Sequence, residues 1–596
     1  MSSSRASKAC QTCHRRRVKC DASEVGLPCT RCKQGGVPDC RFIVSRRGTY
    51  DRRKRKLSMS SGGEPLSPEL TRQSGSPSSV SWSTVVDEMF SRSSEKKVMD
   101  TKSITYLGES LLLPLMMMDD RGGGVQMHHE VGNTHPNHLS QQELALLESK
   151  GAFTRCAPRA ERALVAIFLD NIYRMYPVVN RQEFLDEYNA DKTPWILLHA
   201  VCFISSIYAP VSLLHSCGFT DPVEARNTFY TRGKILFDLN YERNKLVLVQ
   251  AQILFSFYVG RPDDLWYAHT WIGMAVTTAE TLGMHRTMTI WNMPEKDKSL
   301  FRRLFWILFN RDASIAALFG RTPRVNIEHC DKEVPCLADF EGVYPDEAGA
   351  YYQIELSKLT LILREITVYR CNDTPWEGRN SYLCERLIQW KGHLPPVLQW
   401  DESSDDLQNT NINALCLEML YHHHIIYIHL PNPNFYSSSS SELQSLIDTA
   451  TRRITAIARH WVTSSLISRV PHECYPAIFA AEVVLYSQMK HGDPNRANLA
   501  RAQLDVCQMT LREICHYWES ASWIMHLFEV LINKHRSNNP SPSSSGFQTF
   551  CEDVPNRTPD QSGLNDFIAF LSAWQGNEAP LLESNELNSL FHNILD

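Results

Sequence analysis

Residues 10–40 read CQTCHRRRVKCDASEVGLPCTRCKQGGVPDC, and the spacing of their six cysteines decides how the chain is organised. Cys10, Cys13, Cys20, Cys29, Cys32 and Cys40 fall in the pattern C-x2-C-x6-C-x8-C-x2-C-x7-C, two copies of one CxxC-then-Cys unit joined by a loop. The first copy places His14-Arg15-Arg16-Arg17-Val18-Lys19 between its second and third cysteines. The second, Lys33-Gln34-Gly35-Gly36-Val37-Pro38-Asp39, is weakly basic and rich in glycine. Thiolate spacing and a basic helix thus occupy one short module.

Charge singles out the same end. Residues 1–60 hold 16 Lys+Arg against 4 Asp+Glu, a net of +12, while the other 45 basic and 62 acidic residues give −17. A basic end on an acidic body implies a polyanion partner for that end alone. No apolar stretch precedes the cysteines, so the sequence does not read as secreted, and clustered CxxC pairs then favour metal over disulfides. The twelve remaining cysteines are scattered and read as reduced thiols.

A structural zinc takes four thiolates in a tetrahedron. Six cysteines fill two such sites only if two sulfurs bridge, and the repeat makes Cys10 and Cys29, the first of each copy, the natural bridges. One Zn2+ takes Cys10, Cys13, Cys20 and Cys29, the other Cys10, Cys29, Cys32 and Cys40. No position is left for water, which argues against a catalytic metal. The two ions replace a core that forty residues could not otherwise build. A zinc-thiolate protein for metal or redox handling is the rival reading, but it gives no reason for Arg15–Lys19.

These residues resemble the fungal binuclear zinc-cluster family, Zn(II)2Cys6, of transcription factors. All six cysteine positions match its pattern, as do Lys19-Cys20-Asp21 and the Pro28 before Cys29. The resemblance implies a nuclear regulator of transcription by RNA polymerase II that reads CGG-type triplets in double-stranded DNA, using the helix after the second cysteine. The family's base-contacting position, often Lys, lies three before the third cysteine. Here it is Arg17, with Arg16 beside it, and arginine pairs bidentately with guanine. Arg15, Lys19 and Lys8 are expected on phosphates, which fix register without reading sequence.

The chain divides by texture. Residues 1–45 are the cysteine module. Residues 46–56, RRGTYDRRKRK, are seven-elevenths basic and serve as a linker. Arg46, Arg47, Arg52 and Arg53 are its expected phosphate contacts, and Arg52-Arg53-Lys54-Arg55-Lys56 its nuclear-localisation segment. Residues 57–158 are rich in Ser, Gly and Pro and read as disordered linker. His128, His129, Glu130, His135 and His138 lie there, but the second HExxH histidine would fall at Asn133, and Gly132 and Pro136 oppose a helix. No P-loop or nucleophile elbow occurs either, so the chain is not read as an enzyme.

Residues 159–536 carry helical periodicity and predict a large all-helical regulatory domain, making the protein mainly all-α. Leu246, Val249, Ile253 and Phe257 form one stripe. Leu265, Ile272 and Ala279, with Ala268, Ala275 and Leu282, form another. Phe301, Phe305, Leu308, Ile315 and Phe319 form a third, ending at Gly320 and Pro323. Asp312 on that stripe is expected to pair with Arg311 or Arg321, or else to meet a ligand. Further helices are expected near 352–370, 408–430, 442–467, 472–490 and 498–535. His422, His423 and His424 point to different faces of one of these and are expected in core or surface roles, not on a shared metal. The apolar run Trp195–Leu214 is broken by His199, serines and Pro210, so no membrane span is expected.

Tyr173–Val179, Arg302-Arg303-Leu304-Phe305-Trp306, Gly320-Arg321-Thr322-Pro323 and Asp331 through Pro335 are similar, in that order, to segments of the fungus-specific transcription-factor regulatory domain. Residues 537–560 are a Ser/Pro linker. The tail 561–596 has five acidic residues and no Lys or Arg, with Phe567, Phe570, Trp574 and Phe591 among its bulky groups. It fits an activating surface for coactivators, or a segment packing back on the helical domain; both readings stay open. Dimerisation through the helical domain, monomeric binding and a small-molecule effector of that domain also stay open, as no sustained heptads follow the module.

Overall fold

The computed structural model describes residues 10–16, 18–36 and 40–42, two strands at 104–107 and 125–128, and most of 138–538. It divides into two units, 1–76 and 77–596, each described by itself.

In the first unit three short helices carry the cysteines: α1 (Gln11–Arg15), α2 (Ala22–Val25) and α3 (Thr30–Gln34). Its buried residues are five of the six cysteines and Ala22, with Cys40 packed against them. Among the described residues of this unit, other apolar side chains contribute almost nothing. The ends of the module meet, because the Gln11 amide donates to the Arg41 carbonyl (2.8 Å) and Cys10 bridges to Phe42.

Among its described residues the second unit is helical, apart from an antiparallel strand pair, Ile104–Leu107 with Val125–His128. Helix Gln141–Ser149 lies about twenty residues before the composition break at 159. Within the expected linker, Ser140 accepts from the Glu143 amide (3.3 Å) and the Glu143 carboxylate accepts from the Ser140 amide (2.7 Å). This capping box starts helix Gln141–Ser149, and Leu147 anchors it in the core. A nine-residue helix with one fully buried leucine, and Leu144 half-buried beside it, leaves little apolar pattern to read. Other starts follow legible rules: Asp221 and Asp493 cap helices Pro222–Asp238 and Pro494–Cys515, each with proline in the first turn.

The apolar stripes bury as expected except at Ala268 and Phe319, which are half-buried, and at Leu265. Helix Ala268–Thr281 begins after Leu265, which lies outside it and is 72% exposed. The periodicity extended by chance one turn beyond the true start. The expected helix 498–535 is two, Pro494–Cys515 and Ser520–Asn538, separated at 516–519. Helices Pro222–Asp238 and Lys245–Phe255 cross so closely at Gly233 that a Cβ there would lie 2.2 Å from the Phe255 ring.

The longest of the predicted stripes, helix Glu295–Leu318, organises the body's polar interior. Arg302 pairs with the buried Asp339, and Arg303 donates to the Asp339 carbonyl (2.7 Å) and to Asn180 (2.8 Å). Trp306 donates to the Glu333 carbonyl (2.8 Å), so the arginine-aromatic motif fastens the extended run after it. Asp312 is buried but not paired as expected: Arg311 reaches Glu473 (3.1 Å), and Arg321 reaches the Tyr267 hydroxyl. The Asp312 carboxylate instead accepts from the Val325 amide (2.8 Å), stitching down the loop after Gly320. Its pKa is raised by burial, against the lowering effect of that amide.

His422, His423 and His424 are buried in helix Ile412–His429. No helix among the described residues is long and apolar enough to cross a membrane. The run at Trp195 is helix Trp195–Ser206, followed after Pro210 by helix Val211–Ser216.

Candidate metal centre and nucleic-acid interface

The backbone of the module is folded so that the six sulfurs converge. Each CxxC opens a short helix: Cys10 stands before α1 and Cys29 before α3, and the second cysteine of each pair turns back on the first. The ligand atoms form two quartets, Cys10-Cys13-Cys20-Cys29 and Cys10-Cys29-Cys32-Cys40, each with all sulfurs within 4.8 Å of one another. Cys10 and Cys29 belong to both, which is the arrangement that bond counting requires of bridging thiolates.

Distances fit zinc. With Zn–S bonds of ~2.3 Å, tetrahedral angles put neighbouring sulfurs about 3.8 Å apart. The separations are 3.8 Å for Cys10–Cys29, 3.7 Å for Cys10–Cys32 and 3.6 Å for Cys13–Cys29. Backbone amides point at the sulfurs: Cys13 N–H at Cys10 Sγ, Cys10 N–H at Cys20 Sγ, and Cys29 N–H at Cys40 Sγ, all at 3.4 Å. Such donors favour thiolate over thiol and lower the repulsion among anions gathered around a cation.

The two shared cysteines also differ in acidity from their neighbours. Burial pushes the Cys10 thiol up, but hydrogen bonds from Cys13 and other neighbours outweigh it and the net shift is downward. The Cys32 amide is the largest influence lowering Cys29. Burial is the first cause raising Cys13, to about 12, and it raises Cys32 and Cys40 as well.

A side chain beyond the cysteines also joins the halves. Asp21 Oδ1 accepts from the Thr30 amide (3.1 Å) at the first turn of α3, a contact that lowers the Asp21 carboxyl. Its signal was its place directly after Cys20, where an acid can reach the next helix start; the partner itself was not legible.

Arg16 and Lys19 are exposed beside α1, and Arg31 and Lys33 are exposed on α3. The second copy therefore also presents positive charge, although less of it. Arg15 ends α1. Lys8, Arg17, Arg46, Arg47 and the segment Arg52–Lys56 lie outside the described residues. So does the tail 561–596.

Comparison with known proteins agrees with this geometry. Residues 8–49 match the family model of the fungal Zn(2)-Cys(6) binuclear cluster domain, and residues 165–410 that of the fungal specific transcription factor domain. The chain is 26% identical to cutinase transcription factor 1 alpha of Fusarium vanettenii over 89% of its own length and 64% of the relative's. It is 25% identical to the acetamidase regulatory protein of Aspergillus fumigatus, over 88% of its length and 77% of that protein's. A fusaric acid cluster transcription factor of Gibberella moniliformis is 26% identical over 69% and 68% of the two chains. These domains and relatives belong to transcription factors, not enzymes.

Proposed function

We propose that this chain, which carries a zinc-cluster domain followed by a fungal transcription-factor domain, is a nuclear, sequence-specific regulator of transcription by RNA polymerase II. The sharing of Cys10 and Cys29 between two sulfur quartets carries the reading. It supports two Zn2+ per chain, closed to water and used for structure. The metals set the direction of α1, and the basic residues at its end do the work of recognition. Arg17 contacts guanine in CGG-type triplets. Arg16 lies beside it, and Arg15, Lys19 and Lys8 hold the phosphates of the DNA backbone, together with Arg46, Arg47, Arg52 and Arg53. Arg52–Lys56 directs nuclear import.

The regulators of cutinase, acetamidase and a fusaric acid cluster among the relatives favour control of metabolic or secondary-metabolite genes. The acidic, aromatic tail 561–596 recruits the transcription machinery. Deleting it without loss of reporter activity would remove that assignment and leave the DNA-binding one standing.

The test is a gel shift of the full chain with CGG-containing duplexes, with and without a zinc chelator. Retardation that depends on both zinc and the CGG triplet is expected. No retardation, or retardation that ignores sequence, would return the module to the metal-handling reading, and CGG binding that survives chelation would overturn the structural role of zinc.

A further inference from the structure

The helical body contains a cavity of about 590 Å³, within the range that holds a small organic molecule. It opens where five distant stretches of chain meet: the helical residues 170–175, the start of helix Glu347–Arg370, the segment before helix Ile412–His429, the end of helix Ser441–Thr463, and the stretch 466–471. A junction of this kind is where ligand pockets commonly form.

Its lining is polar and of uneven charge. Arg174 and Arg469 both face it from exposed positions, and neither guanidinium is ion-paired with a carboxylate among the described residues. His460 joins them, with Nδ1 3.4 Å from the Ser464 hydroxyl. Of the two lining carboxylates, Asp346 is committed to capping its helix through the Ala348 amide (3.0 Å), which leaves Asp170. Asn411 and Asn413 supply amides, and the Tyr344 and Tyr352 rings supply apolar wall.

The cavity wall runs straight into a buried charge network of the body. Met175 on its lining is followed by Tyr176, and Pro471 by His472 and Glu473. The Tyr176 hydroxyl donates to Glu473, whose other oxygen takes Arg311 at 3.1 Å. A ligand held by Arg174 and Arg469 would tie together the two segments whose next residues meet in that buried network.

We propose that this cavity binds a small organic acid bearing hydroxyl or amino groups, its carboxylate held between Arg174 and Arg469 and its donor group on Asp170. The inference rests on the chain being a regulator, and it assigns the input of that regulator to a place.

The full, zinc-loaded chain is titrated with malate, glutamate, inorganic phosphate, glycerol and putrescine while the melting temperature of the helical body is followed. Malate or glutamate is expected to raise it saturably, and glycerol and putrescine are not. Arg174→Met with Arg469→Met should weaken the acid about tenfold or more. Ser464→Trp, which adds bulk to the lining and leaves both arginines in the sequence, should do the same. Both variants are accepted only if their unliganded melting matches the parent. No saturable shift with either acid up to about 10 mM, an equal shift in the double-arginine variant, or a response to phosphate, glycerol or putrescine alone would overturn the proposal. The same samples are tested on CGG duplexes. DNA binding without acid binding sinks only this inference, whereas loss of both sinks the regulator reading.

Discussion

The two ends of the described chain solve the same problem with opposite materials. The cysteine module buries sulfur and little else, while the helical body buries more than a hundred apolar side chains with a few charged groups locked among them. A forty-residue segment cannot remove enough apolar surface from water to offset its lost chain entropy, so metal–thiolate bonds must supply the difference. The body can, and its polar interior then selects among packings. One unit should collapse on losing a cation and the other on losing a charge partner.

The sharpest break comes from the bridges. Cys29→Ala is expected to abolish zinc-dependent DNA binding and to release both metals, because each quartet loses a member. Cys40→Ala removes a ligand from one quartet only, so its zinc content should fall less. Mass spectrometry of native protein reads the stoichiometry, and two zinc ions per parent chain are expected. In neither variant should the melting of the helical body move. A body that melts earlier would mean that the units are energetically coupled.

The converse break lies at Arg311. Its guanidinium is 2% exposed, pairs with Glu473 at 3.1 Å, donates to Ser256 at 3.2 Å and lies 3.8 Å from the centre of the Phe257 ring. Removing one member of a buried pair strands the other charge, which costs about 3–5 kcal/mol. Glu473→Gln should therefore lower the urea-derived stability of the body by roughly that amount. Arg311→Met combined with Glu473→Leu should recover part of the loss. Zinc content should not change.

How much of this was legible in sequence follows the same division. The module's chemistry is local: six cysteines lie within thirty-one residues, and counting bonds singles out Cys10 and Cys29, the two that both sulfur quartets share. The helices of the body were legible wherever an apolar stripe met a cap, as at Glu295–Leu318. The pairings of its charges were not. Asp312 was assigned to neighbours in sequence, Arg311 or Arg321, but a buried carboxylate takes whatever donor the fold delivers, here the Val325 amide. Arg311 and Glu473 are separated by 161 residues of chain, and nothing local announces them. Helix Gln141–Ser149 was hidden for a related reason, since one buried leucine does not make a stripe.

Acid should also separate the units. Burial pushes His199, His423 and His472 down to about 4, with smaller contributions from nearby arginines. The His199 ring lies 2.7 Å from the Ala152 carbonyl through Nε2, so the ring donates there. A histidine whose folded pKa lies below its unfolded value of ~6.5 binds fewer protons folded than unfolded across that interval. Its contribution is present above pH ~6.5 and is lost as the pH falls towards the folded value. Each such group adds a slope of up to about 1.4 kcal/mol per pH unit. The body should thus weaken progressively between pH 6.5 and 4 in urea titrations. His199→Phe, which keeps the ring volume and removes the titration, should flatten the curve. An unchanged curve in that variant would show that His199 does not contribute.

The smallest effects are expected where both units are already folded and only the DNA contact changes. Arg17→Ala removes a proposed guanine contact and should cost about 1–3 kcal/mol on CGG duplexes but much less on unrelated ones, so the ratio between them collapses. Lys19 is exposed beside α1 and is assigned to phosphate, which carries no sequence information. Lys19→Ala should weaken CGG and unrelated duplexes alike and reduce the slope of log affinity against log salt by about one. The pair of variants distinguishes a residue that reads from a residue that holds. If Lys19→Ala lowers the ratio and Arg17→Ala only the salt slope, the two roles are exchanged and the helix enters the groove rotated from the direction proposed.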